Sequence, residues 1–346
     1  MRRKIVMTAN KPIYLLGPCA AENREQVLET AQALVDTIRT PFIFRAGVWK
    51  PRTSPNSFQG AGAEGLVWLQ EVQRKFGLPV ATEVATPEHV RLALETGIEY
   101  LWIGARTSAN PIAVEVIAER IRGLVDEGKN GLKGVLIKNP VNADAGLWIG
   151  NIERLEKTGV PVIAIHRGCN HQPCWSMAHQ VRLARPDVAI LLDPSHLSGD
   201  AHKVPELMEK IAELGLDGAM IEVHCCPEKA LSDAKQQIKA EDFTAVQKDH
   251  FAVEENVELN WLRAEIDELD ERLWDTIVAR MEVSKRIGAW KKLHGVAPLQ
   301  PERYQQIVEK LKHKNYEYKI NGSAISEGFM LRIWELIHEE SLREQE

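Results

Sequence analysis

Four side chains in this sequence carry the chemistry of a metal centre: Cys19, His196, Glu222 and Asp233. They offer one soft donor, one borderline donor and two hard ones, a set that suits a divalent ion such as Mn²⁺, Fe²⁺, Co²⁺ or Zn²⁺. None sits in a compact CxxC-type motif, so only a fold that gathers distant segments can bring them together. A second set is cationic: Arg45, Lys50, Arg52, Arg106, Lys138 and Arg167. Lysine and arginine usually face solvent, and salt bridges around a rim are their plainer reading. Six of them on one rim would instead focus a positive field, and arginine forks match phosphate and carboxylate oxygens. Side by side, the two sets suit one or two phosphorylated, acidic substrates and Lewis-acid activation of a carbonyl.

What must position these residues is a repeating pattern. Eight short apolar runs, at 13–17, 42–47, 80–84, 100–104, 135–138, 162–166, 189–193 and 219–223, read as strands of a parallel sheet covered on both faces. Amphipathic helical stretches lie between them, for example at 25–38, 63–76, 111–125 and 203–214. Eight such units in about 250 residues predict an α/β fold, a (β/α)8 TIM barrel, with a doubly wound open sheet as the alternative. A barrel carries its active site at the carboxyl ends of its strands. The runs end there in Gly17-Pro18-Cys19, Arg45, Arg106, Lys138-Asn139, His166-Arg167, Asp193-Pro194-Ser195-His196 and Glu222-Val223-His224. Only the third run ends plainly, with Glu83 near its tip.

Past residue 250 the pattern changes. A polar link at 251–258 separates the expected barrel domain, 1–250, from an all-helical domain, 259–346. Leu262, Ile266, Leu269, Leu273, Ile277, Met281, Ser284 and Ile287 recur at three- and four-residue spacing, which predicts one long helix. Gly295 and Pro298 end it, and further helices follow at about 302–314 and 323–343. Three helices, one of them very long, bury little alone, so dimerisation is expected.

The composition bounds the rest. The chain has 346 residues, 44% hydrophobic and 27% charged, which excludes wholesale disorder. Its 43 basic and 49 acidic residues leave a formal charge of −6, which argues against general nucleic-acid binding. No apolar run approaches the roughly 20 residues of a membrane span. The Met1–Met7 segment lacks the apolar core of a signal peptide, and five cysteines suit a reducing compartment. A cytoplasmic protein is expected.

The strings Gly17-Pro18-Cys19, Lys50-Pro51-Arg52-Thr53-Ser54-Pro55, Ile103-Gly104-Ala105-Arg106, Asp193-Pro194-Ser195-His196, Glu222-Val223-His224 and Leu231-Ser232-Asp233-Ala234-Lys235-Gln236 closely resemble the 3-deoxy-D-arabino-heptulosonate 7-phosphate (DAHP) synthase family, in its short type I-beta form. The resemblance covers about residues 10–245. It implies a (β/α)8 barrel that condenses phosphoenolpyruvate with erythrose 4-phosphate, the first step of the shikimate pathway. Cys19, His196, Glu222 and Asp233 then match the metal ligands, and Arg45, Lys50, Ala105, Arg106, Lys138 and Arg167 the phosphoenolpyruvate contacts. Arg52, Thr53, Ser54 and Asp193 would serve erythrose 4-phosphate, with Lys50 as proton donor to the forming hydroxyl. The related 3-deoxy-D-manno-octulosonate 8-phosphate synthases, which take arabinose 5-phosphate, read Lys-Ala-Asn-Arg-Ser-Ser where this chain reads Lys50-Pro51-Arg52-Thr53-Ser54. Two segments depart from the family's usual wording: Lys138-Asn139-Pro140 and Gly168-Cys169-Asn170-His171.

The helical region resembles the all-helical chorismate mutase family over about 256–345. The matching strings are Leu262-Arg263-Ala264-Glu265-Ile266-Asp267, Ala279-Arg280, Lys285-Arg286-Ile287-Gly288-Ala289-Trp290-Lys291 and Pro301-Glu302-Arg303. The resemblance implies that Arg263, Arg280, Lys291 and Arg303 bind chorismate, with Ser341 and Gln345 at polar positions and Arg263 crossing to a partner subunit's site. Arg280 and Lys291 are the catalytic candidates. Residues 280, 284, 287, 288 and 291 share one helix face. Tyr304 stands where the family usually has a glutamate for the substrate hydroxyl, with Glu302 two positions off. The expected protein is a bifunctional synthase and mutase, a homodimer through the mutase helices or a tetramer if the barrels also pair, feedback-inhibited by prephenate or chorismate. The alternative makes the helices a dimerisation and sensing module without turnover.

Overall fold

A computed structural model describes residues 12–50, 56–128, 131–246, 256–320, 322 and 325–345. The eight strands form a closed parallel barrel in sequence order: β1 (Ile13–Gly17), β2 (Ile43–Arg45), β3 (Val80–Val84), β4 (Tyr100–Ile103), β5 (Gly134–Lys138), β6 (Val162–His166), β7 (Ala189–Leu192) and β8 (Gly218–Glu222). β8 returns to pair with β1, so no edge is left open. The closed barrel replaces the open-sheet alternative. β2 is shorter than expected, because the chain leaves the ladder after Arg45.

The alternation of side chains across a strand does the positioning. Leu15, Ile43, Ala81, Trp102, Leu136, Ile165, Leu191 and Met220 point inward and pack on one another inside the barrel. Two residues further along each strand, on the same inward face, stand Gly17, Arg45, Glu83, Gly104, Lys138, Arg167, Asp193 and Glu222. The apolar filling therefore ends in a ring of charge at the carboxyl rim. Outward residues such as Tyr14, Leu16, Phe44, Leu101 and Ile137 pack beneath the surrounding helices. Those helices begin where local chemistry dictates: Asn23, Thr86, Asn110 and Asp144 each cap a helix by accepting an amide hydrogen of its first turn. Gly17 needs to be glycine, since its φ is +148° and a Cβ there would run into the Arg45 carbonyl oxygen.

The chain divides into two compact units, 1–265 and 266–346. Most of the expected link, 251–258, lies outside the described residues. The long helix spans Val257–His294, and its first turns belong to the barrel unit, where Trp261 and Ala264 are buried. The other helices are Pro301–Ile320 and Glu327–Arg343, the latter capped by Ser326. The middle helix runs six residues beyond its expected end, because no glycine or proline interrupts it before Gly322. No helix among the described residues is long and apolar enough to cross a membrane.

Candidate active site at the carboxyl rim of the barrel

Above the apolar filling lies a cavity of about 190 Å³. Arg45, Lys50, Arg106, Lys138 and Arg167 line it, with Ala105 between them and Glu83 and Asp233 as counter-charges. Five cations against these two carboxylates, and against Asp193 and Glu222 that pair with Lys138 and Arg45 just beyond the lining, leave it positive by a single charge. Arg52, Thr53 and Ser54 lie outside the described residues.

Arg45 is fully buried. Its Nη1 donates to Glu222 Oε1 at 3.2 Å and its Nη2 to the Cys19 carbonyl at 3.2 Å, while the guanidinium stands 4.8 Å from the centre of the Trp102 ring. Lys50 Nζ donates to the same carbonyl at 3.0 Å and approaches Glu83 at 3.7 Å. Burial opposes the charge on Lys50, but Cys19, Glu83 and Glu222 outweigh it and raise its pKa, so the amine stays protonated. Lys138 Nζ donates to Asp193 Oδ2 at 2.6 Å, and His196 Nδ1 lies 2.9 Å from the same oxygen. Burial pushes against the Asp193 carboxylate, yet His196 and Lys138 hold it well below the usual range.

The metal-ligand candidates converge in part. One donor atom each from Cys19, His196 and Asp233 lie within 4.8 Å of one another. Cys19 Sγ donates to Asp233 Oδ2 at 3.0 Å, and burial followed by Glu222 pushes the thiol up to about 12. Glu222 stands beside this group, 3.6 Å from His196 Nε2, its oxygens held by Arg45 and by Gln236 Nε2 at 2.7 Å. Burial opposes its charge, but His196, Arg45 and Lys50 keep it below the usual carboxylate range. The donors fit a divalent cation. Asp193 orients the imidazole through Nδ1 and leaves Nε2 for a metal, and a cation would supply the charge that a buried thiolate lacks.

Sequence reasoning passed over Glu83, Gln236 and His171, all of which line the cavity. The parity of β3 could have found Glu83, two residues beyond the inward Ala81. The two segments that depart from the resembled family meet here. The buried Asn139 side chain accepts the Arg167 amide at 2.7 Å and donates to the Gly168 carbonyl at 3.0 Å.

The helical unit carries a separate pocket of about 310 Å³, lined by Arg280, Lys291, Arg303, Ser341 and Gln345 among others. Lys291 Nζ donates to Gln345 Oε1 at 2.9 Å, and Arg280 reaches Ser341 Oγ. Tyr304 is in this pocket too, its ring 4.3 Å from that of His338, a lining residue not anticipated. Burial, then Arg280 and Lys291, lower the His338 pKa. Arg263 is not among the lining residues of this pocket; it is exposed and donates to Asn260 Oδ1 at 3.5 Å.

Comparison with known proteins falls into the same two parts. The model of the DAHP synthetase I family matches residues 2–258, and that of chorismate mutase type II matches residues 262–346. The phospho-2-dehydro-3-deoxyheptonate aldolase of Thermotoga maritima is 32% identical over 236 residues, 66% of either chain. A 2-dehydro-3-deoxyphosphooctonate aldolase of Geotalea daltonii is 28% identical over 277 residues, 70% of this chain and 93% of that one. Among solved structures, the DAHP synthase of T. maritima superposes with a TM-score of 0.59 at 30% identity, covering 69% of this chain and 68% of that one.

Proposed function

This chain belongs to the DAHP synthetase I family, followed by a chorismate mutase type II region, and is an enzyme of aromatic biosynthesis; from that premise we propose a division of labour among its residues. The observation that carries it is the charged ring of the barrel rim, where five cations enclose a cavity beside the Cys19, His196 and Asp233 donors. Arg45, Ala105, Arg106, Lys138 and Arg167 hold the phosphate and carboxylate of phosphoenolpyruvate. Arg52, Thr53, Ser54 and Asp193 hold erythrose 4-phosphate. Cys19, His196, Glu222 and Asp233 would hold a divalent ion, Mn²⁺, Fe²⁺, Co²⁺ or Zn²⁺, which when bound polarises the aldehyde carbonyl. C3 of phosphoenolpyruvate forms a bond to the aldehyde carbon, and Lys50, kept protonated, gives its proton to the new hydroxyl. Water adds at C2; one of its protons restores Lys50 and the other leaves with the phosphate as the C–O bond breaks and C2 becomes the ketone. We take the domains as 1–250 and 259–346 with a link at 251–258, the long helix beginning inside that link at Val257 and its first turns packing with the barrel unit. With five free cysteines, the protein works in the reducing cytoplasm.

In the helical unit, Arg280, Arg303, Ser341 and Gln345 bind the chorismate dianion, and Lys291 stabilises charge at its ether oxygen. Arg263 reaches the pocket of a second copy, and exposed apolar residues along the long helix make that dimer's surface. Prephenate or chorismate bound here slows the barrel. Coupling of that kind is reciprocal in binding free energy, so barrel substrates must change prephenate affinity in turn. Synthase kinetics unaltered by saturating prephenate would remove the regulatory part. Tyr304, beside His338 in place of a carboxylate, favours a second reading in which this pocket senses without turnover. That reading predicts no chorismate turnover, with the ligand response lost in Arg280→Ala.

The decisive assay follows phosphoenolpyruvate consumption by chelator-stripped enzyme, with and without Mn²⁺, offering erythrose 4-phosphate and arabinose 5-phosphate separately. Metal-dependent turnover with the four-carbon aldehyde is expected. Preference for the five-carbon sugar would overturn the reading of residues 50–54 and favour the octulosonate reaction.

A further inference from the structure

The loop after β6 is built around two residues in an uncommon conformation. Cys169 and Gln172 exchange both backbone hydrogen bonds, each 2.9 Å, closing a two-residue hairpin. Its central residues, Asn170 and His171, have φ of +52° and +61°. Two positive φ values are the mark of a type I′ turn, whose preferred pair is Asn-Gly because glycine alone enters the left-handed region without steric cost. The sequence supplies the asparagine and then puts an imidazole where glycine would be favoured. The hairpin is also tied down: Asn139 donates to the Gly168 carbonyl, and a Cβ on Gly168 would collide with the Gln172 carbonyl. The His171 ring packs against Gly199, whose missing side chain leaves the room, since a Cβ there would lie 2.8 Å from His171 Cε1. The ring stands at the mouth of the cavity that Lys138, Arg106 and Arg167 line. Among the described residues neither of its nitrogens has a hydrogen-bond partner.

From this juxtaposition we propose that His171 is a substrate-binding residue of the barrel, its imidazole donating a hydrogen bond to a phosphate-monoester oxygen at the cavity mouth. The inference rests on the synthase reading, in which both substrates are phosphate monoesters, and it adds a contact that Arg106, Lys138 and Arg167 do not supply. Strain kept at a cavity rim is a cost that a binding role repays, whereas a purely structural turn would be better served by glycine.

The test is His171→Gly, which removes the whole side chain at a backbone conformation that glycine accepts, with added imidazole as the control for the lost ring. KM should rise about 10- to 100-fold for one of the two substrates, the loss expected for one hydrogen bond to a charged group, while kcat changes little. Whether phosphoenolpyruvate or erythrose 4-phosphate is affected identifies the phosphate engaged. Added imidazole should restore part of the loss. Unchanged KM values for both substrates would overturn the proposal, as would a rise that imidazole does not relieve. Inorganic phosphate titrated into both proteins by calorimetry tests the contact without turnover. A wild type that binds phosphate more tightly than the variant yet turns over neither aldehyde would sink the synthase reading and leave the contact standing.

Discussion

At the scale of single residues, the barrel rim works by setting buried charges against one another. Glu222 is ionised in the interior because Arg45, Lys50 and His196 surround it, and Gln236 occupies its second oxygen. Removing that outer hydrogen bond in Gln236→Ala should weaken Mn²⁺ binding about 10- to 100-fold, as second-layer partners of metal ligands do. Calorimetry showing unaltered affinity would take Glu222 out of the metal site. His166 is a different case. It is buried outside the strand ring between Trp148 and Trp175, with Nε2 donating to the Pro173 carbonyl at 2.6 Å. Burial drives its pKa from 6.5 to about 4. As pH falls below 6.5 the unfolded chain takes up a proton first, so the stability this neutral imidazole contributes is whole above pH 6.5. It is lost as pH approaches 4, to a ceiling of about 3 kcal/mol. The slope of melting temperature over that window should flatten in His166→Asn; parallel slopes would refute the account.

At the scale of elements, glycines mark where backbones approach. Gly17 and Gly77 both have positive φ, but only Gly17 has backbone beneath it; nothing lies within 4 Å of a Cβ on Gly77. Gly77→Ala should therefore cost about 1 kcal/mol for the left-handed backbone alone. Gly17→Ala should cost at least about 2 kcal/mol more, since β1 must shift against β2. Equal midpoints in urea for the two variants would show that the β1–β2 junction yields freely. In the helical unit, Gly288 lies against Gln345, where a Cβ would come within 2.6 Å of its Cα. Gly288→Val should push Gln345 off Lys291 and lower mutase kcat/KM about tenfold or more, measured as chorismate disappearance; full activity would separate helix packing from the pocket.

At the scale of the whole molecule, the long helix carries a row of exposed apolar side chains. Ile266, Leu269 and Leu273 run along one face, 57%, 53% and 58% exposed, with Trp274 at 67% beside them. Rows of this size mark protein interfaces. A charge at the centre, Leu273→Glu, should shift sedimentation towards the monomer at micromolar protein. Mutase activity should fall in step if Arg263 serves a partner's pocket. A variant that sediments like the wild type would place the interface elsewhere.

Much of this protein was legible in its order of residues. Eight short apolar runs spaced by amphipathic helices determine a parallel sheet covered by helices, because parallel strands need a crossover between each pair; its closure into a barrel was decided only by the pairing of β8 with β1. Charged residues at the ends of those runs disclosed Arg45, Lys138, Arg167, Asp193 and Glu222, and the heptad-like spacing past Leu262 disclosed the long helix. Tertiary structure decided what spacing cannot carry. The chain after β2 set Lys50 3.7 Å from Glu83 on β3. Closure of β8 on β1 brought Cys19 within 3.0 Å of Asp233 across 214 positions of sequence. The Asn139 strap set His171 at the mouth. Each depends on through-space neighbours from unconnected segments, and electrostatics and packing between such neighbours are functions of distance in the fold rather than of position along the chain.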